Sequence, residues 1–158
     1  MTRNDGTEFD FLMGDWHVQH RRLRERLTGS NDWQDFPGHM SAHHVLGGLG
    51  NMDDNHLEIP GDPYRAISMR SFDPASGKWA IWWLDGRSPH SLDVPVVGGF
   101  ENDTGLFFAD DIIDDKPVRV RFMWTRMDSD NPRWEQALSG DDGASWETNW
   151  IMDFRRSK

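Results

Sequence analysis

The sequence has no cysteine among its 158 residues. Disulfide bonds, thiolate metal sites and a cysteine nucleophile are therefore excluded, and a reducing compartment is favoured. No apolar run reaches the roughly 18 residues that a membrane-spanning helix needs. The N-terminal stretch MTRNDGTEFD also lacks the charged-then-apolar order of a signal peptide. We therefore expect a cytoplasmic protein without membrane insertion.

Basic residues are scarce: 17 Lys and Arg stand against 27 Asp and Glu, for a net charge of −10. Such a surface repels phosphate backbones, so no nucleic-acid partner is expected. The length fits one domain with a core of its own. We predict a single domain over residues 9–155, a disordered or extended N-terminus over 1–8 and a C-terminal tail over 156–158.

Tyrosine is nearly absent, whereas tryptophan is abundant: the chain has one Tyr, nine Phe and nine Trp. Tryptophan is costly to leave in water and supplies broad apolar walls. Nine such rings in a chain of this size predict that large aromatic side chains line either a packed core or a cavity.

Alternation of apolar and polar residues recurs in several short segments. In PVRVRFMWTRM the side chains of Val118, Val120 and Phe122 share one face of a strand. Arg119 and Arg121 occupy the other face. The segments WHVQH, RWEQALS and WETNWIMDF show the same period of two, which indicates β-strands rather than helices.

Turn chemistry separates these segments, at FDPASGKW, MDSDNPRW and SGDDGASW. The last matches an Asp-box hairpin, in which Asp141 accepts backbone N–H bonds, Gly143 takes a positive φ and Trp146 covers the turn. The spacing predicts an all-β fold, a single antiparallel up-and-down β-barrel of about 8–10 strands. A short helical turn is expected over Phe9–Met13.

Two stretches are less regular. After WHVQH the apolar positions change parity, which a β-bulge near Arg21–Arg22 would explain. The stretch LGGLGNMDDNHLEIPGDP is rich in Gly, Asp and Asn, and it predicts a loop with a short strand at a barrel mouth.

The step Gly14-Asp15-Trp16 at the start of the first strand resembles the lipocalin, or calycin, signature. The stretches FDFLMGDWHV, WWLDGR and RWEQALSGDDGASWETNW resemble a bacterial family of lipocalin-like domains of unknown function. The resemblance implies one barrel with Trp16 packed across its closed end, and it implies no reaction. Haem-binding barrels of the nitrobindin kind need a histidine on a late strand. The last histidine here is His90, so no cofactor is predicted.

A barrel of this kind is either filled by its side chains or holds one small ligand. Parity points the later aromatic residues into the barrel, which predicts a site for a small hydrophobic or aromatic molecule. The alternative is a packed core. The candidate ligand-binding residues are the aromatic Trp83, Trp124, Trp134 and Trp150, the polar His44 and Thr148, and Arg87 at the rim.

Two other functions are compatible with the same residues. In the first, a cofactor-free isomerase, lyase or cyclase uses His20 and Gln136 as its catalytic residues in a dry pocket. In the second, surplus aromatic side chains form the interface of a homodimer. No metal site is predicted, because His39 and His43 would lie about 13 Å apart along a strand.

Overall fold

The computed structural model of the protein describes residues 4–157. It is an all-β protein whose ten strands form one closed antiparallel barrel, as predicted. Each strand pairs with its neighbours in sequence, and the first pairs with the last, which closes the barrel. The strands are β1 (Gly14–Leu23), β2 (Trp33–Val45), β3 (Gly50–Leu57), β4 (Tyr64–Asp73), β5 (Lys78–Asp85), β6 (Val96–Glu101), β7 (Thr104–Ile113), β8 (Lys116–Thr125), β9 (Arg133–Ser139) and β10 (Glu147–Arg156).

Helical structure in residues 4–157 is confined to two 3-10 turns, Asp10–Leu12 and Leu46–Gly48. The first is the helical turn predicted ahead of β1. Within the same residues, no helix is long and apolar enough to cross a membrane.

Trp16 packs inside the end of the barrel where β1 begins, as predicted. Its side chain is 2% exposed, and its Nε1 donates a hydrogen bond to the carbonyl of Leu12 at 2.8 Å. The Arg156 guanidinium lies 4.1 Å from the centroid of the Trp16 ring and donates to the carbonyls of Phe11 and Met13. Residues 4–13, the N-terminal segment, are therefore hydrogen-bonded to the last strand at this closed end.

The N-terminal segment covers the closed end. The Phe9 ring meets the rings of Trp79 and Phe100 edge-on, each at 4.9 Å between centroids. Asn4 exchanges two hydrogen bonds with the backbone of Phe100, and Glu8 accepts one from the Trp79 indole at 2.8 Å. Aromatic packing and paired polar groups together seal this end.

The structure places the strand irregularity elsewhere than expected. The β1–β2 register runs unbroken from Gly14 opposite Ala42 to Leu23 opposite Trp33, so the bulge predicted at Arg21–Arg22 is wrong. Arg22 continues the inward row of β1. Its guanidinium packs against the rings of Phe36 and Trp150 and donates a hydrogen bond to the Tyr64 hydroxyl. The register shift lies in β10, between Thr148 and Trp150.

The stretch predicted as a loop with a short strand does contain a strand, β3, which has eight residues and is a full member of the barrel. Asn51, Asp53 and Asn55 are buried on its inward face. Asn and Asp are uncommon in strands, so local preference points to a loop. Their partner Arg70, on the neighbouring β4, compensates for this preference and accounts for the difference.

Candidate functional site

The end of the barrel opposite the N-terminal segment is open and contains a cavity of about 350 Å³. Its aromatic walls come from inward positions of β5, β8, β9 and β10, and its rim comes from the ends of β1, β4 and β5 and the chain that follows them. The lining residues are Arg22, Leu23, Arg24, Arg26, Tyr64, Trp83, Asp85, Arg87, Asp93, Phe122, Trp134, Gln136, Asn149 and Trp150.

Four rings form the aromatic wall of this open-end cavity. Trp150 meets Trp134 edge-on at 5.4 Å and Trp83 edge-on at 5.7 Å. Phe122 meets Trp134 in the same way at 5.0 Å. Edge-to-face contacts fix the orientation of each ring, so the wall has a defined shape.

Two amides supply neutral polar groups to the wall. Gln136 Nε2 donates to Asn149 Oδ1 at 3.3 Å, and Asn149 is 2% exposed. The β10 bulge places Asn149 there, since Trp150 pairs with Gln136 while Thr148 pairs with Ala137. Adjacent residues of β9 face opposite sides, so Thr148 lies in the row outside the barrel.

The same bulge puts Trp146 on the outer face, although parity pointed the later aromatic residues, Trp146 among them, into the barrel. Its ring packs against Phe108 at 6.1 Å and lies 4.6 Å from the Arg121 guanidinium. The Asp-box turn itself forms as predicted: Asp141 accepts from the Ser145 backbone at 2.8 Å, and Gly143 has a φ of +88°. Hydrogen bonds from Ser145 lower the pKa of Asp141 to about 2.

Arg22 reaches into the cavity from β1. One guanidinium N–H donates to the Tyr64 hydroxyl at 2.8 Å. The guanidinium carbon lies 4.8 Å from the centroid of Trp150 and 5.2 Å from that of Phe36. The charge is therefore held in place by aromatic faces, which favour cations.

Arg87, the predicted rim residue, lines the cavity as part of an ion pair. Its Nη2 and Nε donate to the two oxygens of Asp85 at 2.8 and 3.1 Å, and Asp62 lies 3.6 Å away. Partial burial acts to raise the pKa of Asp85, but the hydrogen bonds from Arg87 outweigh it and lower the pKa overall. The same bonds raise the pKa of Arg87. The charge of Arg87 is thus largely compensated within the rim.

Asp93 is the second carboxylate at the cavity. Desolvation raises its pKa, and the nearby carboxylates of Asp111 and Asp85 raise it further, against the lowering effect of Arg26. Because its pKa is raised, Asp93 loses its negative charge at a higher pH than an ordinary aspartate does.

His20, the predicted acid or base, is 1% exposed and lies behind the cavity wall. Its Nδ1 accepts a hydrogen bond from Trp150 Nε1 at 3.1 Å, and its ring stacks on Phe36 at 4.6 Å. Burial, followed by the charge of Arg22, lowers the pKa of His20 to about 3. The imidazole is therefore neutral at pH 7, and it is not one of the lining residues. Gln136, the other predicted catalytic residue, does line the cavity.

Two of the predicted ligand-binding residues lie toward the closed end. Trp124 is 2% exposed and packs against Phe9, Phe11 and Phe154. His44 is at the outer surface, with its Nε2 3.6 Å from Asp10. The structure therefore brings Trp83, Trp134, Trp150, Gln136 and Arg87 together at the open end, and places Trp124, His44 and Thr148 elsewhere.

A buried polar cluster lies deeper in the barrel, beside a void of about 30 Å³. Arg70, 4% exposed, donates to Asn51 Oδ1 at 2.8 Å and to the carboxylate of Asp53. Asp53 also accepts bonds from the Ser68 backbone and the Asn55 amide. This cluster was not predicted from the sequence. The available signal was a single charged residue, Arg70, in the alternating row of β4.

In residues 4–157 no three His, Asp or Glu side chains come together in a way that would hold a metal ion. No protein-family model matches the chain. A search of curated proteins also finds no match. The closed ten-strand barrel agrees with a calycin-like fold, while membership of a bacterial lipocalin-like family stays a prediction.

Proposed function

We propose that the protein binds a small apolar or aromatic molecule in its open-end cavity. The observation that carries the proposal is the cavity itself: about 350 Å³ of space walled by Trp83, Trp134, Trp150 and Phe122. Ligand pockets have volumes of roughly 300–1,000 Å³, and they combine apolar walls with a few polar groups. Gln136 and Asn149 supply such groups here.

A flat two-ring molecule suits this wall. Aromatic pairs contribute about 0.5–1.5 kcal/mol beyond the apolar area that they bury. The tryptophan rings already hold one another at right angles, so little side-chain ordering is required when a ligand enters.

Calorimetric titration with the neutral probe 2-naphthamide tests the proposal. We expect binding by the wild-type chain and a loss of about tenfold or more in affinity for Trp83→Ala, since an aromatic anchor is removed. Trp83 lines the open-end cavity and also the void of about 30 Å³ beside the Arg70 cluster.

Trp33→Ala is the matched control. Trp33 lies on the outer face, where the Arg21 guanidinium covers its ring at 5.0 Å. Its replacement should leave the affinity unchanged. Absence of binding to naphthalene probes, or equal effects of the two substitutions, would contradict a ligand site at the open end.

The arrangement supports binding better than acid–base catalysis by His20. The His20 imidazole is neutral at pH 7 and contacts the wall residue Trp150 from behind. A general base must come within hydrogen-bond reach of the proton that it removes, either directly or through one water. Gln136 does line the cavity, but its amide does not titrate.

A further inference from the structure

We infer that the ligand is a monoanion, an amphipathic carboxylate whose charged group is bound by Arg22 and whose apolar body lies among Trp83, Trp134 and Phe122. This inference rests on the proposed function and names the class of molecule that the site would take. It identifies Arg22, rather than the predicted Arg87, as the group that recognises the ligand.

The arginines that line the cavity differ in their partners. Arg24 is paired with Asp32 at 2.6 Å, and Arg87 is paired with Asp85. Within residues 4–157, no Asp or Glu carboxylate lies within 4.0 Å of the Arg22 guanidinium. Arg22 is thus a half-buried cation with no carboxylate in direct contact, and the charge that it acts on in the cavity is Asp85, whose pKa it helps Arg87 to lower.

The hydrogen-bonding capacity of Arg22 is also largely unused. A guanidinium has five N–H donors in a planar fork. The described residues account for one of these bonds, to the Tyr64 hydroxyl. A carboxylate can accept two parallel N–H bonds from such a fork, which matches the donors that remain.

The surroundings of Arg22 favour the binding of a carboxylate. Trp150 and Phe36 lie within about 5 Å of the guanidinium and restrict its position. Partial removal from water strengthens a charge-assisted hydrogen bond, and a fixed side chain loses little freedom when the ligand binds. A mobile surface arginine has neither advantage.

The neighbouring charges favour a single negative charge over two. Four arginines line the cavity, but Arg24 and Arg87 are each paired with a carboxylate. Arg22 is therefore the cation left to match one negative charge, and a second negative charge would meet the repulsion of Asp85 and Asp93. Arg26, which also lines the cavity, offsets part of the charge of Asp93. The geometry therefore points to a carboxylate on an apolar body.

The test compares two probes of nearly equal shape by calorimetry at pH 7: 2-naphthoate, which is ionised, and the neutral 2-naphthamide. We expect the wild-type chain to bind the acid about tenfold or more tightly than the amide. In Arg22→Gln the preference should fall to about twofold or less, with the affinity for the amide retained. Arg24→Gln is the matched control, because Arg24 lines the same cavity but is already paired.

The outcomes separate the two proposals. Equal binding of the acid and the amide by the wild-type chain would overturn the inference and leave the ligand site in place. Failure of both probes to bind would overturn the proposed function and the inference with it. Equal losses of preference in Arg22→Gln and Arg24→Gln would refute the assignment to Arg22.

Circular dichroism establishes that each variant folds. Should Arg22→Gln not fold, Arg22→Lys carries the test, since it keeps the charge but loses the planar fork. A reduced preference for 2-naphthoate in Arg22→Lys supports the inference, whereas a preference equal to that of the wild-type chain contradicts it.

Discussion

The two ends of the barrel are built from the same strands and packed in opposite ways. At the closed end, Phe9 and Trp79 are each 1% exposed, and the indole of Trp79 is hydrogen-bonded to Glu8. At the open end, Trp83 is half-buried, and about 350 Å³ beside it is unfilled by side chains. The difference teaches that abundant tryptophan serves stability at one end and a candidate ligand site at the other.

Charges follow the same division. Deeper in the barrel, beside Phe9, Arg70 donates to Asn51 and Asp53 through its two terminal nitrogens, while its buried Nε has no hydrogen-bond partner among the described residues. At the open end, Arg22 has aromatic neighbours and one hydroxyl, but no carboxylate of the described residues lies within 4.0 Å of it. A compensated buried charge is a structural element, whereas an uncompensated charge in a cavity is suited to a ligand.

Phe9→Ala should destabilise the closed end and leave the ligand site at the open end unchanged. The ring is fully buried among other aromatic rings, so we expect the free energy of unfolding to fall by about 3–5 kcal/mol. The affinity for 2-naphthoate should stay within about twofold of wild type at a temperature where the variant is folded. Urea unfolding and calorimetry measure the two effects. Weaker probe binding by Phe9→Ala than by Trp83→Ala would contradict the separation of the two ends.

Arg70→Met tests whether the buried charge pair of Arg70 and Asp53 stabilises the fold. It leaves Asp53 buried without its charged partner, so we expect a loss of about 3–5 kcal/mol in the free energy of unfolding. The double variant Asp53→Leu, Arg70→Met should recover much of that loss, because both buried charges are then gone. A loss below about 1 kcal/mol in the single variant would mean that Arg70 is not a structural charge.

His20 gives the open end a pH-dependent stability. Its pKa in the folded chain is about 3, against an ordinary value of 6.5. Below pH 6.5 the unfolded chain takes up a proton that the folded chain refuses, so stability falls as pH falls. Between pH 7 and 5 the contribution is about 2 kcal/mol.

His20→Asn is the comparison for this pH effect, because its amide oxygen can accept the hydrogen bond of Trp150 without titrating. Urea unfolding of both proteins at pH 7 and pH 5 isolates the histidine from other titrating groups. Parallel losses of stability in the two proteins would show that His20 is not the origin.

The barrel could be predicted from sequence because its signals are local. Alternation in β8 and the Asp-box turn after Ser139 depend on residues that are adjacent in the chain. Trp16 could be placed at the closed end because its resemblance to a known signature lies in a short stretch. Each of these local signals favours the same structure that the whole chain adopts.

The details of the site could not be predicted, because they depend on residues far apart in sequence. The buried polar face of β3 is stabilised by Arg70, and only the pairing of β3 with β4 brings them together. The bulge in β10 turns Asn149 inward, but it leaves no recognisable break in the alternation of apolar and polar residues in the sequence of that strand. The inward position of Arg22 depends on the hydroxyl of Tyr64, 42 residues away.

Nuclear magnetic resonance of the tryptophan indole groups tests the central claim most directly, since each of the nine indoles gives its own N–H signal. On titration with 2-naphthoate we predict that the signals of Trp83, Trp134 and Trp150 shift, while those of Trp16 and Trp79 at the closed end stay in place. Unmoved signals at the open end, or larger shifts at the closed end, would contradict a ligand site in the mouth of the barrel.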